Sequence, residues 1–203
     1  MKKAAVFEET YRAYLAQIRA ADLATKAATL GAVREDGGLA IPFYGEVHRV
    51  TPEGLFNAAG RPANFAVSVV LCRYVLQCPH RLPPDGGWVS YREFRDAGPL
   101  VGYFTANTNK IIETAFAGRT PSLKAAAAAM AARGYDDEAD HDISLQFAML
   151  PRIPVLLRFN DRDDEFPAQC TILFRESAQV YLDMESLAML GGILVRGMAA
   201  FGR

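Results

Sequence analysis

The stretch "DISLQFAMLPRIPVLLRFNDRDDEFPAQCTILFR", residues 142–175, decides the fold. Apolar side chains recur at every second position: Ile143, Leu145 and Phe147, then Val155, Leu157 and Phe159, then Cys170, Ile172 and Phe174. Period two is the signature of a strand with one buried face. The pattern predicts strands over 142–149, 153–160 and 169–175, joined by a tight turn containing Pro151 and by the acidic loop 161–167. If the first strand runs up and the second returns, loop 161–167 lies at the sheet end where residues 136–142 enter. Two acidic segments distant in sequence would then share one edge.

Upstream, "GGLAIPFYGEVHRVT" predicts a hairpin over about 39–50 turning at Gly45, with Pro42 marking its first strand as an edge. His48 falls in the outward phase of that hairpin. Residues 4–29 read as one long helix, with Tyr11, Leu15, Ile18 and Leu23 at roughly helical spacing. Thr51-Pro52 resembles a helix start, an N-cap followed by proline at N1. "NFAVSVVLCRYVLQC" is apolar on most faces and predicts a buried central helix. Ser90 and Glu93 have the spacing of a capping box, which accounts for Ser90 without a catalytic role. Thr120-Pro121 opens the alanine-rich helix "SLKAAAAAMAAR", and Asp183 is the N-cap of a terminal helix over about 184–200. The expected architecture is α+β: an antiparallel sheet of about five strands (hairpin 39–50 and meander 142–175) covered by helices, with long N- and C-terminal helices.

At 203 residues the chain fits a single domain, 1–203, with a sizeable core. Its 51% hydrophobic and 22% charged composition is that of a soluble globular protein. "MKKAAVFEETYRAYL" lacks the apolar core of a secretory signal, and "LAMLGGILV" is about half a membrane span. Three cysteines, Cys72, Cys78 and Cys170, cannot all pair and show no Cys-x-x-Cys spacing. The expectation is a reducing cytoplasm. Net charge is −1, which gives no nucleic-acid footprint. The charge is nevertheless polarised. Residues 136–142 and 161–165 hold nine of the 23 acids and one of the 22 bases.

That acidic edge is the leading candidate site. Asp161, Asp163, Asp164, Glu165 and Phe166, with Asp140 and His141 from the other segment, are the candidate binding residues. Hard cations need oxygen ligands, so Asp161, Asp163, Asp164 and Glu165 are also candidate metal ligands. The EF-hand pattern fails, since the sixth and twelfth positions from Asp161 are Phe166 and Ile172, and from Asp136 they are His141 and Phe147. Docking of a basic partner and a merely solvated edge are the other two readings. Phe166-Pro167 shapes the loop, because proline restricts its own φ and its predecessor's geometry, and Phe166 is expected to anchor the loop on the core. Cys72, Cys78 and His80 do not make a zinc set: six residues apart on a helix, the two cysteines face different sides. No nucleotide, nucleophile-elbow or metalloprotease motif is present, no catalytic residue is assigned, and no cofactor is implied by motif.

The run "LPRIPVLLRFNDRDDEFPAQCTILFRESAQVYLDMESLAML", preceded by "GGWVSYREF", resembles the domain-of-unknown-function family numbered 3786. The resemblance covers about residues 38–195 and is most specific at Asp164-Glu165-Phe166-Pro167-Ala168. It implies strand, acidic turn, strand and terminal helix, and an association with anaerobic bacteria and archaea. Some relatives carry an added iron–sulfur segment, whose cysteine cluster this chain lacks. The resulting expectation is a cytoplasmic binding or accessory protein, linked to anaerobic redox or corrinoid metabolism, with the acidic edge as interaction site. The alternative is a metal-dependent enzyme using the 161–165 carboxylates with His141. Expected partners are a basic protein surface or a small ligand, with no nucleic acid and no membrane. A homo-oligomer through the C-terminal helix, where Gly191, Gly192 and Gly197 permit close approach, is compatible with either.

Overall fold

Asp22 divides the N-terminal helical run. Its carboxylate accepts hydrogen bonds from the amides of Ala24 and Thr25 and so caps a second helix. The expected single helix over 4–29 is therefore two: α1 (Lys2–Ala20) and α2 (Leu23–Leu30). The computed structural model describes residues 2–136 and 141–201. Gly31 ends α2 in the left-handed conformation (φ 66°), and a Cβ built there would stand 2.8 Å from Pro151 Cβ.

The chain then forms a four-stranded antiparallel meander: β1 (Val33–Glu35), β2 (Gly38–Phe43), β3 (Glu46–Thr51) and β4 (Gly54–Phe56). The hairpin turns at Gly45 as its sequence predicts. Tyr44 and Gly45 both have positive φ (56° and 74°), which is the two-residue type I′ geometry that matches strand twist. Pro42 does not mark an edge, since β2 lies between β1 and β3. β1 begins at Val33 opposite Ala40, so Pro42 lies beyond its ladder and the missing N–H leaves no bond to β1 unmade. Thr51-Pro52 is a hairpin turn and not a helix start. Thr51 Oγ1 accepts from the amides of Glu53 and Gly54 at 3.2 and 3.3 Å, a bond the same side chain would have made at an N-cap. His48 corrects the predicted phase: it is 5% exposed, edge-on to Phe43 at 5.8 Å, and shares the inward face of β3 with Val50.

Asn64 Oδ1 accepts from Val67 N (3.1 Å) and starts α3 (Phe65–Leu76), the buried central helix that the sequence predicts. The second sheet has the order β5-β9-β8-β7-β6, entirely antiparallel. Its strands are β5 (Trp88–Ser90), β6 (Arg133–Gly134), β7 (Ile143–Leu150), β8 (Ile153–Asn160) and β9 (Gln169–Arg175). The meander 142–175 is as expected, and the α+β class holds. The strands are shared between two sheets, so hairpin and meander are not neighbours in one. Tyr44 N, donating to Met149 O at 3.1 Å, ties the hairpin turn to β7.

Helices cover one face of the second sheet. A helical rod runs through α4 (Val101–Phe104), a π-helical turn (Thr105–Asn109) and α5 (Lys110–Phe116). It is followed by α6 (Thr120–Ala129), which begins at Thr120-Pro121 as expected. After a short α7 (Ala178–Tyr181) the chain ends its described course in α8 (Met184–Phe201), capped by Asp183 through Ser186 N at 2.8 Å. Phe174 on β9 meets Phe94 and Phe104 at ring separations of 6.1 and 6.0 Å. The other face curls on itself. Trp88 on edge strand β5 donates Nε1–H to the hydroxyl of Tyr135, beside the opposite edge strand β6, at 3.0 Å. That closure accounts for the burial of Leu156 and Leu173, which point away from the helices. Two of the three α8 glycines serve packing within the chain: a Cβ on Gly191 would stand 2.6 Å from Phe104, and one on Gly197 would stand 2.6 Å from Met130. No described helix is long and apolar enough to cross a membrane.

Candidate functional site

Because β7 and β8 are antiparallel, the residues entering β7 lie beside those leaving β8. Asp142 Oδ2 accepts from Asp161 N at 2.7 Å, and Asn160 Oδ1 accepts from Asp142 N at 3.2 Å. His141 Nδ1 lies 3.2 Å from the same Asn160 oxygen. The two acidic segments thus meet where they are described. Asp140, with residues 137–139, lies outside the described residues.

Two carboxylates of the loop are spent on building it. Asp161 Oδ1 accepts from Gly118 N at 2.6 Å and from Arg162 N at 2.8 Å, fixing the start of the loop to the turn between α5 and α6. The Arg162 guanidinium lies over Gly118, where a Cβ would be 3.1 Å from it. Asp163 Oδ1 accepts from Phe166 N (2.6 Å) and Glu165 N (2.8 Å), and Asp163 N donates back to Phe166 O (3.0 Å). The Phe166 amide, then that of Glu165, holds the Asp163 carboxyl below its usual range. Asp164 and Glu165 differ: both are exposed, and among the described residues neither carboxylate has a hydrogen bond or ion pair. Asp161→Ala should cost about 1 kcal/mol and release the loop. Hydrogen exchange at the Gly118 amide measures this, and unchanged protection there would show that the clamp is not what holds the loop.

Phe166 is the correction. It does not anchor the loop on the core, being 59% exposed, while Ala168 is the residue that seats, at 6%. The backbone restraint expected of Phe166-Pro167 is compatible with this, because fixing φ and ψ says nothing about which way the ring points.

Among the described residues no group of three or more His, Cys, Asp or Glu could hold a metal ion. Asp161 Oδ1 and Asp163 Oδ1 already accept from amides, and the described residues do not support the metal-dependent alternative. The cysteines are free. Cys72 and Cys170 are buried, and burial pushes the Cys72 thiol up to about 12, so it is an inert core group. His80 is exposed.

A cleft of about 400 Å³, lined by Tyr44, Glu46, Asn64, Met130, Ile193 and Arg196, among others, was not legible in the sequence. Its walls come from four separate parts of the chain. The one local signal is an aromatic residue preceding Gly45, at a turn position that favours Asn, Asp or Gly.

No curated protein and no solved structure matches the chain. A family model matches residues 22–197, from the cap of α2 to the last turns of α8, and takes in both sheets and the whole acidic edge. Matched over that span, the chain belongs to the family described as Domain of unknown function (DUF3786).

Proposed function

We propose that this chain is a binding or accessory module that docks a basic protein surface through its acidic edge. The observation that carries the reading is Phe166, a large apolar ring exposed at the tip of a loop whose backbone is held by Asp161, Asp163 and Pro167. An aromatic side chain carried on a pre-ordered backbone loses less entropy on binding than one on a loose loop, which suits an interface anchor. The unpartnered Asp164 and Glu165 beside it favour lysine or arginine around the pocket that receives the ring, and steer the encounter. The link to anaerobic redox or corrinoid metabolism implied by the resemblance fits an accessory that holds such a partner.

The test uses a fluorescent peptide of alternating leucine and lysine, beside a lysine–serine control, read by anisotropy. The leucine–lysine peptide is expected to bind, and to weaken as salt rises from about 50 to about 300 mM. Phe166→Ala should weaken it about tenfold or more while changing fold stability by no more than about 0.5 kcal/mol. Binding indifferent to salt, or equal for wild type and Phe166→Ala, sinks the reading.

A further inference from the structure

We infer that the cleft between the β2–β3 hairpin and α8 is a binding site for a small organic anion, a carboxylate or phosphate group on an apolar body. At about 400 Å³ it has the size of a small-molecule site. The hairpin supplies Tyr44 and Glu46, the start of α3 supplies Asn64, the end of α6 supplies Met130, and α8 supplies Ile193 and Arg196.

Two side chains that carry donors, Arg196 and Tyr44, line the cleft. The Arg196 guanidinium is exposed and has no carboxylate within ion-pair distance among the described residues. The Tyr44 hydroxyl has one acceptor there, Leu190 O, at 3.5 Å, outside the 2.5–3.0 Å range of an O–H···O bond. That long contact leaves the hydroxyl of this half-buried tyrosine free to make a shorter hydrogen bond to a ligand in the cleft. Burial pushes the phenol well above its ordinary value, with the Arg196 charge acting in the opposite direction, so the proton is present at neutral pH. The 12-residue α3 has its N-cap, Asn64, in the cleft wall, so the positive end of its dipole lies at the cleft. Glu46 offsets one positive charge, and Arg196, the phenol and the helix start together still favour an anion. Met130 and Ile193 provide apolar wall for the ligand's body.

The site is also pre-shaped. Tyr44 and Ala131 are the two non-glycine residues with positive φ among the described residues (56° and 55°). Tyr44 belongs to the cleft wall, and Ala131 directly follows Met130. The Tyr44 backbone is held in that conformation by its bond to Met149 O, and its ring by edge-on packing on Phe43 at 5.0 Å. An L-residue is disfavoured there, and the tyrosine's side chain is what the position delivers to the cleft.

The experiment is a thermal melt of the full chain with about 10 mM phenylacetate, phenyl phosphate or phenethylamine, at ionic strength matched with sodium chloride. At least one anion should raise Tm by about 2–4 °C, as expected for millimolar binding to the folded state, and the amine should not. Which anion acts decides between carboxylate and phosphate. Arg196→Gln should abolish the shift and Tyr44→Phe at least halve it, with the unliganded Tm of each variant within about 1 °C of wild type. Phe166→Ala should leave the shift intact, so failure of this site and failure of the docking edge are separable. No shift with either anion, an equal shift with the amine, or a shift that survives Arg196→Gln overturns the proposal.

Discussion

Phe174→Ala is expected to destabilise the fold by about 3–5 kcal/mol, the cost of truncating a fully buried phenylalanine. Phe174 is 0% exposed and stands on β9 between Val89 of β5 and Val155 of β8. From there its ring reaches Phe94 and Phe104, and Phe104 stacks on Tyr91 at 4.3 Å with ring planes 4° apart. It is therefore one of the contacts through which the helical rod sits on the second sheet, beside the Cys170 amide that donates to Glu113 of α5. The space cannot collapse easily, because the sheet is fixed by ladders on both sides of β9 and Phe104 is held by its own stack. Against a total stability of about 5–15 kcal/mol the loss is large, and it corresponds to a fall of roughly 6–20 °C in Tm. Phe174→Leu should cost less than about 1.5 kcal/mol, since most of the volume remains. Urea denaturation measures both. A loss below about 1 kcal/mol for the alanine variant would mean that the aromatic contacts do not join the two layers.

Reading the sequence succeeded where one residue's neighbours determine its role. The alternation from Ile143 to Phe174 found the meander, because only one strand phase buries those side chains. Glu93 does bond the Ser90 amide and hydroxyl, both at 2.6 Å, and Asp183 does cap α8, because capping is a matter of three or four residues. Reading failed where the same local chemistry serves two structures. Thr51-Pro52 could cap a helix or close a hairpin, and the short pairing of β4 with β3 decides it. Alternation places His48 in the outward phase, yet it faces inward, where it packs against the Phe43 ring and Glu46 O lies 3.2 Å from Nδ1. The division into two sheets depends on which strands meet across the fold, which periodicity does not encode.

At the acidic edge the legible part was the juxtaposition, which follows from strand direction alone. What each carboxylate does was not legible. Asp161 and Asp163 lie in the same run as Asp164 and Glu165 and have the same charge, yet the first two bond amides and the last two face water. Composition counts all four as equal charges. Geometry leaves the last two unengaged among the described residues.

Asp183→Ala carries the second large effect, about 2–3 kcal/mol, because one carboxylate does two jobs. Oδ1 accepts from Ser186 N at 2.8 Å and caps α8, a bond worth about 1 kcal/mol at such positions. Oδ2 pairs with the Arg73 guanidinium. Both side chains are about a third exposed (28% and 33%), so the pair contributes well below the value of a buried one, about 1 kcal/mol. Among the described residues Arg73 Nε is already buried without a hydrogen-bond partner, and losing Asp183 would leave the guanidinium more poorly satisfied still. Asp183→Asn separates the two roles, since asparagine caps a helix as well as aspartate does but cannot pair with Arg73. It should cost about 1 kcal/mol, and Arg73→Met should cost a similar amount. Acid supplies the independent check. Burial alone would raise the Asp183 carboxyl, but Ser186 and Arg73 outweigh it and hold the folded-state value below the usual range. Its contribution is thus fully present above the unfolded-state value of about 4 and is lost as pH falls through the lower folded-state value. The stability gap between wild type and Asp183→Asn should be constant from pH 7 to about pH 5 and narrow below pH 4. A gap that stays constant down to pH 2 would show that charge at this position adds nothing to the cap.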